Sequence, residues 1–157
     1  MTEEAPKKSN TGLFIAIGCG VLLLAIPVLG ILAAIAIPNF VSMQYKSKRA
    51  EVPMNLKAIK TMQEAYEADY DVYIPAAAYP LFPSKEAQPW IVSESGGFQK
   101  LGWSPEGNVR GSYSVTTTAT DFRAVGVIDV DGDGVYATYV ATKSSNPVAP
   151  LTARDVY

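Results

Sequence analysis

Gly30-Ile-Leu-Ala-Ala-Ile-Ala-Ile-Pro-Asn-Phe40 is the stretch that decides how this chain is built. Upstream of it the sequence is apolar back to Leu13; downstream it turns into an amphipathic helical pattern. No charged residue stands between Lys8 and Lys46. As a helix, Leu13 to Val41 would reach about 44 Å at roughly 1.5 Å per residue. A bilayer core needs only about 20 apolar residues. One segment can therefore span a membrane and continue into a water-soluble domain. Gly30, Ala33, Ala34 and Ala36 would let neighbouring helices approach closely; the plainer reading makes them apolar filler.

The 157 residues suffice for an anchor and one small domain. The expected organisation is a short polar tail at 1–12, a transmembrane or assembly helix at 13–41 and a soluble head at 42–157. Within the head we expect a helix at 42–74, a loop at 75–110, antiparallel strands at 111–142 and a tail at 143–157. Charge is polarised along the head. Lys46, Lys48, Arg49, Lys57 and Lys60 face Glu51 alone, whereas acidic residues outnumber basic ones from Thr61 onward. A positive collar beside a membrane fits contact with anionic lipid head groups. The acidic remainder argues against nucleic acid as a partner.

From Val52 the apolar side chains Leu56, Ile59, Tyr66, Tyr70 and Tyr73 recur on one helical face. Pro75 ends the pattern, because the residue before proline is pushed out of helical geometry. Pro27, Pro38 and Pro53 each remove a backbone donor, which predicts kinks or local unwinding at all three. Residues 74–110 are rich in proline and glycine and read as an irregular loop with one short helix or strand. Trp90, Phe98 and Trp103 would pin that loop to the core. Ser112–Thr118, Phe122–Val130 and Val135–Thr142 read as three strands. A long hydrophobic-then-amphipathic helix packed on a small antiparallel sheet gives an α+β fold.

The chemistry open to the chain is narrow. With no histidine and Cys19 as the only cysteine, an intrachain disulfide and Ser-His-Asp or Cys-His catalysis are excluded. Asp69/Asp71 and Glu64/Glu67 read as solvated helix charges, so no enzyme is expected. One cluster resembles a metal site: Asp129, Asp131 and Asp133, followed by Gly134, fit the first half of a Ca²⁺ loop. Its second half fails, with Val140 where a glutamate belongs. The competing reading is a hairpin tip that uses Asp-Gly twice to reach positive φ. No other cofactor is implied.

Three readings of the apolar run compete with an assembly helix. A cleaved secretory signal would use Lys7 and Lys8 as its positive region and Ala34-Ile35-Ala36 as its cleavage site, but the run is about twice the usual length. Ala16-Ile17-Gly18-Cys19 resembles a lipobox, but the apolar stretch before it is short. A plain transmembrane anchor is the third. Basic residues flank both ends of the run, so charge alone leaves the topology open.

The residues at 30–40 resemble the second half of the N-terminal segment of type IV pilins and pseudopilins. The resemblance continues through Lys48-Arg49-Ala50-Glu51, Asn55-Leu56-Lys57-Ala58-Ile59-Lys60 and Gln63-Glu64-Ala65-Tyr66, about 40 residues in all. It implies a pilin-like fold and a membrane-anchored structural subunit that assembles through its N-terminal helix. Val21, Gly30, Ala33, Ala34, Ala36, Pro38 and Phe40 are the candidate assembly residues. The implied partners are other pilin-like subunits, pilus or secretion machinery and membrane lipids. The implied location is single-pass in an inner membrane with a periplasmic head, or extracellular in a filament. In the family's register, Val21 stands where pilins carry a glutamate, and Ala16-Ile17 where the processing site is expected. That departure points to a minor or divergent pilin or a secretion pseudopilin. The alternative is a stand-alone membrane-anchored periplasmic binding protein using the aromatic loop or the Asp cluster.

Overall fold

A computed structural model describes residues 11–147, 150–153 and 156–157. Residues 1–10 of the expected polar tail, and the side chains of 11–17 and Cys19, on which the lipobox and processing-site readings fall, lie outside that description. The chain divides into two compact units, Met1–Ser42 and Met43–Tyr157.

In the first unit, helix α1 (Thr11–Arg49) starts and carries most of its apolar length. It runs unbroken through Pro27 and Pro38, where the proline pattern predicts kinks. Near Pro38, Asn39 Nδ2 donates to the Ile35 carbonyl at 3.1 Å and Ser42 Oγ to the Asn39 carbonyl at 3.2 Å. The described helix contains an 18-residue window of mean hydropathy 2.8, long and apolar enough to cross a membrane.

The second unit is the head. It takes in the last turns of α1 and helix α2 (Glu51–Tyr70), separated by a turn at Ala50. The break has a local cause. Pro53 has no N–H for the carbonyl four residues back, and its ring crowds that carbonyl. Restarting the helix at Glu51 places Pro53 in the first turn, where no intrahelical donor is required. At the other end α2 stops at Tyr70, with Asp71 in the left-handed region at φ 55°. The apolar pattern alone would carry the helix to residue 74, because Tyr73 is buried; it is buried from beyond the helix end.

The sheet is an antiparallel meander in the order β1-β2-β3-β4. Its strands are β1 (Ala76–Tyr79), β2 (Ser112–Thr117), β3 (Phe122–Ile128) and β4 (Ala137–Thr142). The sequence expectation of three strands matches β2 to β4; β1 is an addition from the proline-rich segment. That segment also contains a 3₁₀ turn (Val92–Glu94) and a short helix, α3 (Gly97–Leu101).

Burial alternates along β3 and β4, so Phe122, Ala124, Gly126 and Ile128, with Ala137, Tyr139 and Ala141, form the inner face. Against it α2 lays Val52, Leu56, Ile59 and Gln63, spaced three or four residues apart. Gly126 is the closest point of contact: a Cβ there would lie 2.5 Å from Val52 Cγ1 and 3.2 Å from Leu56 Cδ1. Gln63 is fully buried yet satisfied, donating to the Ile74 carbonyl at 2.6 Å and accepting from the Ile74 N–H at 3.0 Å. It ties the chain leaving α2 back onto the helix.

Candidate functional site

Along α1 the candidate assembly residues are all exposed. Val21 is 61% and Phe40 63% exposed. Gly30, Ala33, Ala34, Ala36 and Pro38 are exposed as well, and nothing lies within 4 Å of where a Gly30 Cβ would stand. By helical spacing Gly30, Ala34 and Pro38 form one ridge, and Ala33, Ala36 and Phe40 the adjacent one. The leucines and isoleucines between them are exposed to the same degree, from Leu22 to Ile37. A helix apolar on every side has its solvent in lipid or in other protein rather than in water.

Where α1 gives way to α2, a polar clamp fixes the helix to the sheet. Glu51, in the first turn of α2, accepts from the N–H groups of Arg110 at 2.9 Å and Gly111 at 3.0 Å and from the Tyr113 hydroxyl at 3.0 Å. Asn55 Nδ2 donates to the same hydroxyl at 2.8 Å. The Arg110 guanidinium stands 4.0 Å from the carboxylate. A carboxylate also suits the positive end of a helix. Burial, and then the Glu51 charge, push the Tyr113 phenol well above the usual tyrosine range, so it stays a donor. Gly111 is small of necessity: a Cβ would come 2.8 Å from the Tyr113 hydroxyl and 2.9 Å from Val52 Cγ2. The sequence reading missed this role. Only the Lys-Arg-Ala-Glu segment pointed toward Glu51, with nothing to show what it binds.

Four aromatic residues of the 74–110 segment, Tyr79, Trp90, Phe98 and Trp103, pack on one another, while Phe82 is exposed. Trp90 packs edge-on against Tyr79 at 4.9 Å, Trp103 at 5.1 Å and Phe98 at 5.5 Å between ring centroids. Phe98 and Trp103 are buried. They are core anchors of the segment, which removes them as an exposed platform for a ligand. An open groove of about 670 Å³ runs between α2 and the Trp103–Val109 segment, with Met54, Ala58 and Met62 along its helical side.

Asp129, Asp131 and Asp133 come together in the loop between β3 and β4, with one carboxylate oxygen of each within 4.8 Å of the others. Both oxygens of Asp129 are engaged, by Gly132 N–H at 2.6 Å and Gly134 N–H at 3.0 Å. Asp133 accepts from the Val135 N–H at 2.7 Å. Gly132 and Gly134 adopt φ of 79° and 83°, which the tip of this hairpin demands. One oxygen of Asp131 is buried without a hydrogen-bond partner among the described residues. With one oxygen each, three carboxylates would supply half or less of the six to eight oxygens that Ca²⁺ takes.

A long exposed apolar helix, followed by a helix packed on a small antiparallel sheet, is a pilin-like arrangement, and the chain is similar to type IV pilins in sequence too. Type IV major pilin protein PilA of Myxococcus xanthus (strain DK1622) is 33% identical over 100 residues, which are 64% of this chain and 36% of that protein. The chain thus spans little more than a third of the length of the curated relative it matches. No family model matches the chain, and no solved structure matches it.

Proposed function

We propose that this chain is a structural subunit of a pilin-like assembly, held in a membrane by α1 before assembly and packed through α1 against other subunits afterwards. The observation that carries the reading is the exposure of the charge-free apolar stretch of α1, Val21 to Phe40, in a chain that continues into a folded head. The similarity to a type IV major pilin supports it and points to a structural role rather than an enzymatic one. Lipid chains solvate α1 first; facing helices of neighbouring subunits take their place, with the Gly30/Ala34 and Ala33/Ala36 ridges allowing close approach. The location is an inner membrane with the head on the periplasmic side, and then a filament on the cell surface. The absence of a carboxylate at Val21 fits a divergent or minor subunit, or a pseudopilin of a secretion system, better than a self-sufficient major one.

Recovery of the chain in sheared filaments, together with its mature N-terminus, tests this. Uncut chain found only as membrane monomers would overturn it in favour of a stand-alone anchor. Val21→Glu is expected to raise incorporation into filaments. For Asp129, Asp131 and Asp133 we propose the turn role over the Ca²⁺ role, because both Asp129 oxygens already hold the hairpin tip. A Ca²⁺ titration that produced heat and raised the melting temperature would reverse that choice.

A further inference from the structure

The C-terminal end of helix α2 carries its charges against the helix dipole. The C-terminal end of a helix favours cations, yet the last turn of α2 contains no basic residue. Glu67 and Asp69 lie there, and Asp71 caps it. At the opposite end, Lys46, Lys48 and Arg49 fill the last turn of α1 and Lys57 follows in α2. Glu67 is matched by Lys143 at 3.4 Å, and Glu64 by Lys60 at 3.7 Å. Among the described residues Lys46, Lys48, Lys57, Asp69 and Asp71 have no ion-pair partner.

Each charged end also shows apolar side chains to solvent. Met43 (67% exposed) and Met54 (71%) accompany the lysines, while Tyr70 (63%) and Val72 (50%) accompany the aspartates. Methionine and aromatic residues within a polar rim are the composition of a protein interface. Lys57 and Asp69 stand about 18 Å apart along the helix, nearly two Debye lengths at 0.1 M salt, and Lys46 and Lys48 lie two to three turns further away. One copy cannot neutralise itself.

We propose that the two ends meet between copies: the basic end of one head, at Lys46, Lys48 and Lys57, docks on the acidic end of another, at Asp69 and Asp71. With copies stacked in the same orientation the contact is heterologous and leaves one unfilled end of each sign, so it propagates as an open chain. This rests on the assembly reading and adds a head-to-head contact to the α1 contact. Anionic lipid is the competing occupant of the basic end.

Two charge-reversed full-length chains separate the possibilities. The first carries Lys46→Glu, Lys48→Glu and Lys57→Glu and is acidic at both ends; the second carries Asp69→Lys and Asp71→Lys and is basic at both. All these positions are on the surface, and retained thermal melting of the head checks folding. Each variant alone is expected to give about tenfold less sheared filament than the unchanged chain, through several lost pairs acting together. Co-expressed, they should recover to within about twofold, with both found in the same filaments, because only the mixture restores unlike contacts. Assembly of either variant alone at the unchanged level overturns the proposal. So does a defect in the first variant that the second does not relieve, which would assign the basic end to lipid. Absence of filaments from the unchanged chain would overturn the assembly reading itself.

Discussion

Helices α1 and α2 adjoin in sequence and use their apolar residues in opposite ways. In α2 they fall every third or fourth position, and Val52, Leu56 and Ile59 are completely buried on β3 and β4. In α1 they occupy every side, and the valines, leucines and isoleucines from Val21 to Ile37 remain more than half exposed. The first helix belongs to a core made by its own chain. The second kind of surface is the one that the proposed membrane and subunit contacts would cover, because exposing so much apolar area to water is costly at roughly 25 cal/mol per Å². The change of regime falls near Ser42, with Tyr45 in the last turns of α1 already packed against the head, and the break at Ala50 and the clamp at Glu51 then fix α2 on the sheet.

Four substitutions break or sharpen that contrast, from the largest effect on the head's stability to the smallest. Leu56→Ala should cost about 2–5 kcal/mol, the range for emptying a fully buried leucine site, read as a fall in the melting temperature of the detergent-solubilised chain. Glu51→Ala leaves the Arg110 and Gly111 N–H groups and the Tyr113 hydroxyl without their acceptor, and should cost about 2–3 kcal/mol in the same measurement.

Tyr113→Phe should cost about 1–2 kcal/mol at neutral pH, since Glu51 keeps its two backbone donors. It should also change the alkaline limb of stability. The Tyr113 phenol is held above its unfolded value in the folded state, so the unfolded chain loses that proton first as pH rises. The stability this contributes is complete below about pH 10 and is lost progressively above it. The phenylalanine variant should lack that part of the slope in pH-dependent denaturant melts. Last, Leu24→Ala in α1 should move the head's melting by less than about 0.5 kcal/mol, as expected of a change touching none of its packing.

Much of this architecture was legible in the sequence. The three-to-four spacing of Val52, Leu56 and Ile59 marks the buried face of α2, and the alternation in 112–142 marks the strands. The exposed character of α1 follows from a charge-free apolar run with no polar side. The misses share a cause, which is contact between residues far apart in the chain. Gln63 is polar and breaks the apolar periodicity, yet it is buried because Ile74 supplies both its partners. Ala76–Tyr79 has weak strand propensity between two prolines and becomes β1 by pairing with Val115 and Tyr113. Gly111 and Gly126 read as ordinary loop and strand glycines until Val52 is placed against them. Asp129, Asp131 and Asp133 were found as a motif, whereas their hydrogen bonds to the hairpin backbone could only be seen in the fold.

The central claim is that α1 finds its partner outside the chain while the head folds by itself around α2. The most direct measurement places two carboxylates on α1, as Leu24→Asp with Ile31→Asp, and follows two readouts in one preparation. These are the chain recovered with membranes and sheared filaments, and the thermal melt of the head. Charged groups at membrane depth cost about 2.5–3.5 kcal/mol each, so recovery with membranes and filaments should collapse while the melt stays within about 0.5 kcal/mol of the unchanged chain. Loss of the melt together with recovery, or retention of both, would contradict the account.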